Sequence, residues 1–322
     1  MPILSIIIPI YNVEKYIDKC FTSIYNQGVS DTLFEVIAVN DGTPDESMKI
    51  VSTYSQAHGN LRIINKQNGG VSSARNKGIQ ISAGKYIMFV DPDDYLSERT
   101  LSPLISQLDN SSDDIIIFRS LENGKDYDLW FNYATYTEVL SGVELFEKGY
   151  RRGVIWGCCY SRNLILDNSI LFPLGVKNCE DSIFFACCQM YAKRISFSNI
   201  QLYNIVLREG SATTAMTINN VNTYPDALDY INDLIKRISN NLTSGQCNII
   251  NAYRYGIISQ WVYSALKVDD TNLKYLLTEQ KIYKYLPIPY FKPIPLVSYL
   301  KIFLLNNFFP LYYLLCKIKF SI

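Results

Sequence analysis

Three carboxylates stand within four residues at Asp91-Pro92-Asp93-Asp94, directly behind the apolar run Tyr86-Ile87-Met88-Phe89-Val90. Carboxylates crowded at the end of a buried strand repel one another and lose hydration, and a divalent cation is one way to make them tolerable. Oxygen-only ligands suit Mn2+ or Mg2+, which would take their remaining ligands from water and substrate phosphates. The same four residues are also good turn chemistry and could simply end a strand and cap a helix. Upstream, Asn68-Gly69-Gly70-Val71-Ser72-Ser73-Ala74-Arg75-Asn76 places small residues before a helix start, with Arg75 in its first turns. Free N–H groups, the helix dipole and a guanidinium suit a diphosphate there, although Gly-Gly also makes ordinary turns and Arg75 could pair with a structural carboxylate. Earlier still come Pro9-Ile10-Tyr11-Asn12 and Asn40-Asp41-Gly42-Thr43. Asp41 could accept from the imide N–H of a uracil while Tyr11 stacks on the base; the alternative is a plain Asp-Gly turn before a helix.

The elements that must position these residues alternate. Leu4–Pro9, Phe34–Val39, Leu61–Ile64 and Tyr86–Val90 are short apolar runs of the kind that form buried parallel strands. Between them, apolar residues recur at helical spacing: Val13, Tyr16, Ile17, Cys20, Phe21 and Ile24, then Met48–Tyr54, then Val71–Ile81. The result is βαβαβαβ, an α/β fold with a mostly parallel sheet flanked by helices, whose ligands bind beyond the carboxyl ends of the strands. Asp114–Phe118 reads as a further strand and Glu122–Thr137 as a hairpin or excursion. Helix-like and strand-like stretches mix from Gly142 to Arg208, and beyond Met216 the chain turns helical.

Composition excludes several functions. Lys plus Arg and Asp plus Glu are both 30, so no basic field exists for nucleic acid. The eight cysteines have no CxxC spacing, which argues for buried thiols in a reducing compartment rather than zinc. The first residues, MPILSIIIPIYN, have no basic region and too short an apolar run for a signal peptide, giving the expectation of a chain that starts as a strand in the cytoplasm. His58 is the single histidine and no GxSxG is present, so a Ser-His-Asp hydrolase is unsupported.

Taken in order, SIIIPIYNVEKYI, VNDG and NGGVSSARNKGIQISAGKYIMFVDPDD resemble the family 2 glycosyltransferases of bacterial capsule, exopolysaccharide and O-antigen assembly. Trp156-Gly157, Phe172-Pro173, Glu180-Asp181, Tyr203 and Arg208-Glu209-Gly210-Ser211 resemble the acceptor-side half of that family. The resemblance implies an inverting enzyme of GT-A fold, using a nucleoside-diphosphate sugar, often a UDP-sugar, on a glycan or lipid-linked saccharide. Covering residues 3 to about 212, it implies a catalytic domain over 1–215, with a nucleotide-sugar half (1–100) and an acceptor half (101–215); the sequence pattern itself makes 216–322 a helical region. Carried over by position, Pro9, Tyr11, Glu14 and Asp41 would line the nucleoside pocket, and Arg75 would lie near the diphosphate. Asp91 and Asp93 would complete the donor site, with Asp93 as the metal ligand for Mn2+ or Mg2+. Asn68, Gly70 and Asp94 would be additional donor contacts. Asp181 would be the catalytic base with Glu180 orienting it or the acceptor, and Trp156 and Arg208 would serve the acceptor.

The C-terminal stretch 294–322 is apolar and aromatic, with lysines and no acidic residue, and it is interrupted by Asn306-Asn307 and Pro310. Helices lying in the interface of the cytoplasmic membrane's inner leaflet are expected rather than a spanning helix. The alternative is a tail packed on the protein or in a homo-oligomer contact. The rival to an enzyme is a non-catalytic sugar-nucleotide-binding or scaffold protein of the same fold. A sugar-1-phosphate nucleotidyltransferase would need a glycine-rich basic loop where Pro9-Ile10-Tyr11-Asn12 stands.

Overall fold

The structure is a computed structural model that describes residues 1–122, 124–127, 138–207, 217–268, 282–293 and 296–320. The chain divides into two compact units. The first comprises Met1–Gly142, Val154–Gly175 and Tyr191–Arg208; the second comprises Val143–Gly153, Val176–Met190 and Glu209–Ile322.

The first unit is built on one sheet. At its centre β1 (Leu4–Ile10) is buried at every position, as its run of isoleucines requires. It pairs in parallel with β2 (Phe34–Asn40) on one side and with β4 (Tyr86–Phe89) on the other, and β3 (Leu61–Asn65) extends the sheet beyond β2. Parallel pairing therefore holds across the four strands that the βαβ alternation predicts. Antiparallel pairs begin where the sheet continues past β4. There β8 (Cys158–Ser161) runs antiparallel to both β4 and β6 (Ile115–Glu122). Next, β9 (Ile195–Ile205) lies parallel to β6, and the two-residue β5 (Tyr95–Leu96) closes that edge antiparallel to β9. A short β7 (Lys125–Asp126) pairs with β6, and the rest of the expected 122–137 excursion lies outside the described residues except Gly124 and Tyr127.

A proline inside a central strand removes a ladder donor. Here the Ile7 carbonyl accepts from Val90 while the Ile10 carbonyl accepts from Asp41, so odd positions of β1 face β4 and even positions face β2. The β1–β4 register ends at Ile7 opposite Phe89, so Pro9 faces the place where the chain has already left β4. No ladder bond is lost. The departing segment is the Asp91–Asp94 loop.

Helices α1 (Ile17–Tyr25), α2 (Ser47–Ala57), α3 (Val71–Ile81), α4 (Leu101–Asn110) and the short α6 (Arg162–Asp167) complete this unit. The periodicity that starts at Val13 leads to a helix beginning only at Ile17. The reason is local: the N–H groups of Asn12, Val13 and Glu14 are donated to Thr43, Ser47 and Asp45. Helix α3 lies so close to β1 that a Cβ on Gly78 would fall 2.4 Å from Ile7 Cγ2.

The second unit is helical: α5 (Gly142–Glu147), α7 (Glu180–Tyr191), α8 (Ile218–Val221), α9 (Tyr224–Ile238), α10 (Ser244–Val268), α11 (Leu296–Asn307) and α12 (Phe309–Phe320). Helix α9 buries Tyr224, Ala227, Leu228 and Ile231 at helical spacing and places Lys236 and Arg237 in its last turn, where cations complement the dipole. The Asn306 side chain clamps the Ile288 backbone, accepting its N–H at 2.8 Å and donating to its carbonyl at 2.9 Å. Among the described residues no helix is long and apolar enough to cross a membrane.

Candidate active site

The first unit gathers Tyr11, Asp41, the start of α3 and Asp91 at the carboxyl-end edge of β1, β2, β3 and β4. Tyr11 is 49% exposed there and Asn68 is also exposed. Beneath Tyr11 the loops after β1 and β2 are stitched together. Asn12 N–H donates to Thr43 Oγ1 at 2.8 Å, and Glu14 N–H donates to Asp45 Oδ2 at 2.8 Å. Thr43 Oγ1 donates to Asp45 Oδ1 at 2.6 Å. Burial alone would raise the Asp45 pKa, but the hydroxyls of Thr43 and Ser47 and the N–H groups of Glu14 and Ser47 outweigh it and bring it down to about 2. Glu14, expected in the nucleoside pocket, directs its carboxylate to the N–H of Glu46 at the head of α2.

Asp41 is 2% exposed. Its Oδ1 accepts from Gly69 N–H at 3.0 Å and pairs with Lys66, while Oδ2 accepts from Gly70 N–H at 2.8 Å. The glycine N–H groups that the sequence offers to an external diphosphate are thus already given to an internal carboxylate. Asp41 fixes the loop that opens α3. Gly70 takes φ +83 at that start, a conformation that a side chain would resist.

Arg75 lies in the second turn of α3 with its side chain 4% exposed, and Nη2 donates to Asp91 Oδ1 at 2.8 Å. Its guanidinium carbon sits 5.2 Å from the centre of the Phe172 ring, which in turn meets Phe89 edge-on. Neighbouring Asn76 clamps the Phe172 backbone from both sides, at 2.9 and 2.8 Å. Phe172, met in the sequence as part of an acceptor-side pattern, is therefore the support on which Arg75 rests.

Of the three carboxylates after β4, Asp91 is ion-paired, Asp93 is half-buried and Asp94 is 5% exposed. Asp94, expected as an additional donor contact, has its oxygens turned to the interior. Tyr203 Oη donates to Oδ2 at 2.8 Å and Val206 N–H to Oδ1 at 2.8 Å. Burial, then the charges of Asp91 and Asp93, outweigh those bonds and raise its pKa to about 8. Tyr203 is itself pushed well up by burial and by Asp94 and Asp91, so it stays a donor. Trp156, expected on the acceptor side, is 8% exposed and stacks on Tyr203 with ring centres 5.5 Å apart and planes 9° apart.

Among the described residues no group of three or more histidine, cysteine or acidic side chains is arranged to hold a metal ion. Asp94 is engaged by Tyr203 and Val206 and Asp91 by Arg75 through Oδ1, and Asp93 stands half-buried between them in sequence. One or two carboxylates, completed by substrate phosphates, are the usual complement of Mg2+, so the donor set fits a cation that arrives with a phosphorylated ligand.

Glu180 and Asp181 belong to the second unit. They occupy the first turn of α7, half-buried, where the helix dipole favours negative charge, and every residue from Ile183 to Met190 behind them is buried. Cys179, at φ +67, turns the chain into the helix, and Ser182 Oγ donates to the Gly153 carbonyl at 3.0 Å. Arg208 lies outside the described residues. The roles of Asp45, Asn76, Phe172 and Tyr203 were not evident from the sequence. Only Asp45, in Thr43-Pro44-Asp45-Glu46-Ser47, carries a local signal, that of capping chemistry before a helix.

Residues 5–170 match the sequence profile of Glycosyl transferase family 2. Among curated proteins, the uncharacterized glycosyltransferase EpsJ of Bacillus subtilis is 34% identical over 210 residues, covering 63% of this chain and 60% of EpsJ. The chain thus matches less than two thirds of that relative's length. The poly(ribitol-phosphate) beta-N-acetylglucosaminyltransferase TarS of Staphylococcus aureus is 29% identical over 68% of this chain and 38% of TarS. A crystal structure of TarS 1-349 in complex with UDP-GlcNAc shares the fold, with a TM-score of 0.61 at 23% identity over 88% of this chain and 78% of that one. The mannosyltransferase PcManGT of Pyrobaculum calidifontis, in complex with GDP-Man and Mn2+, has a TM-score of 0.57 at 15% identity over 99% of this chain and 86% of its own.

Proposed function

Because the chain belongs to glycosyl transferase family 2, we propose that it moves a sugar from a nucleoside-diphosphate sugar to a hydroxyl of a glycan or lipid-linked saccharide, with inversion, in bacterial surface-polysaccharide synthesis. The observation that carries this reading is the convergence of Tyr11, Asp41, Arg75, Asp91 and Asp93 on one edge of the sheet. A UDP-sugar is the donor of choice, given the UDP-GlcNAc bound to TarS.

Tyr11 offers an exposed ring for the base, while Asp41 holds the Gly69–Gly70 loop in shape beside it. Asp91, oriented by Arg75, would hold the ribose or donor sugar, and Asp93 would hold Mn2+ or Mg2+. That cation would supply charge neutralisation for the departing diphosphate. Asp181 takes the proton of the acceptor hydroxyl as its oxygen bonds to the anomeric carbon and the bond from that carbon to the diphosphate oxygen breaks. A general base of this kind contributes roughly 10²- to 10⁴-fold. Glu180 orients the base or the acceptor, and Arg208 serves the acceptor.

The tail is proposed to lie on the inner leaflet of the cytoplasmic membrane. Leu296, Val297, Leu300 and Phe308 are exposed apolar side chains, and Lys292 and Lys301 are the charges nearby. Flotation of the full chain with anionic vesicles, against a variant with Leu296, Leu300 and Phe308 replaced by Ser, tests this; equal flotation sinks it. The transfer reading is tested by a panel of nucleotide sugars, following release of nucleotide with and without Mn2+. Metal-dependent release from one donor supports it. Binding without release from any donor would point to a non-catalytic sugar-nucleotide-binding protein.

A further inference from the structure

We propose that Tyr203 and Asp94 form a positioning latch that sets the shape of the Asp91–Asp93 loop, and that Asp94 touches neither donor nor cation. This rests on the reading of that loop as part of a donor site.

The loop leaves β4 at the point where its ladder partners end, and a buried backbone N–H there must find another acceptor. Asp91 N–H donates to Tyr203 Oη at 3.0 Å, and the same hydroxyl donates onward to Asp94 Oδ2 at 2.8 Å. Asp94 N–H closes the ring on the Asp91 carbonyl at 3.0 Å. The other Asp94 oxygen takes the Val206 N–H, just past the end of β9. Immediately after the loop, Tyr95 and Leu96 pair with Asn204 and Tyr203, so the loop is tied to β9 through side chains and through the ladder. Tyr203 is 0% exposed. Its ring cannot swing, because Trp156 lies flat against it and Tyr127 meets Trp156 edge-on with centres 4.6 Å apart. The latch thus holds the backbone of Asp91 and the carboxylate of Asp94, with Asp93 between them in sequence.

The separation of roles is testable because Asn can keep the Asp94 bonds. Its oxygen can accept from Val206 N–H while its amide donates to Tyr203 Oη, a reversal of that bond that leaves Oη still accepting from Asp91 N–H, whereas Leu can do neither. Calorimetry on the full chain, with UDP, GDP and dTDP as probes, gives the ratio of nucleotide affinity with Mn2+ to that without. General unfolding lowers both affinities and leaves their ratio unmoved. Asp93→Asn should bring the ratio close to one. Tyr203→Phe and Asp94→Leu should lower it about tenfold, the worth of one to two net hydrogen bonds on loop geometry. Asp94→Asn should retain it within about threefold on the same scale. An Asp94→Asn variant as impaired as Asp93→Asn would make Asp94 a ligand and overturn the proposal, as would an unchanged ratio in Tyr203→Phe. Wild-type protein that binds none of the three nucleotides would instead remove the donor-site reading, and the latch with it.

Discussion

The loops that follow β2 and β4 face the same problem, acidic side chains held partly or wholly out of water at a sheet edge, and they handle it in opposite ways. After β2, Asp41 and Asp45 collect donors: two glycine N–H groups and Lys66 for the first, hydroxyls and N–H groups for the second. Their charge is an internal brace. After β4, Asp91 is paired with Arg75, and Asp94, with two donors, still has its pKa raised to about 8 by burial and by the neighbouring carboxylates. A carboxylate with enough donors builds a scaffold; carboxylates left in mutual repulsion keep an affinity for an added positive charge. On the proposed reading, the first loop shapes the site and the second holds the cation and the donor.

That contrast can be broken most forcefully at Asp93. Asp93→Ala should lower metal-dependent donor affinity by about 10²-fold, as loss of a liganding carboxylate would, with little change in melting temperature; calorimetry with UDP and Mn2+ reads the first and a melt the second. Asp41→Leu should do the reverse. It leaves Lys66 and two glycine N–H groups without their buried acceptor and should destabilise the protein by about 3–5 kcal/mol in denaturant unfolding.

The two loops should also respond oppositely to pH. Asp45 has a pKa depressed to about 2, so its stabilising contribution is present above the ordinary value of 3.8 and is lost as pH falls through about 2. Asp45→Asn should therefore destabilise at pH 7 by about 1–3 kcal/mol, with the gap closing toward pH 2. Asp94 has a pKa raised from 3.8 to about 8, so its contribution is full below about pH 4 and is lost as pH rises through about 8. Melts in chelator should show Asp94→Asn gaining on the wild type between pH 5 and pH 8.5 by a few degrees, the smallest of these effects. A gain at low pH instead would reverse the comparison.

The parallel half of the sheet was legible because four short branched runs alternate with helical spacing, and α3 was legible to its ends because Gly70 and Ser82 bound it. The crowding of Asp91, Asp93 and Asp94 at a strand end was legible because it is visible along the chain. What lay hidden is held across distance. Tyr203 stands 112 residues from Asp91, and Phe172 stands 96 from Asn76. No local pattern announces such partners. The use of the Gly69 and Gly70 N–H groups was not legible, because an internal acceptor 28 and 29 residues earlier in the chain cannot be read from a glycine pair. Asn306 shows the same limit: Asn306-Asn307 reads as a break between helices, and its clamp on Ile288 is visible only in the fold.

The central claim is that the chain transfers a sugar with Asp181 as the base, and the most direct measurement is nucleotide release from the preferred donor by Asp181→Asn beside the wild type, with donor affinity followed in parallel. A fall of at least about 10²-fold in turnover with donor affinity unchanged is the predicted result. Unchanged turnover in Asp181→Asn would contradict it.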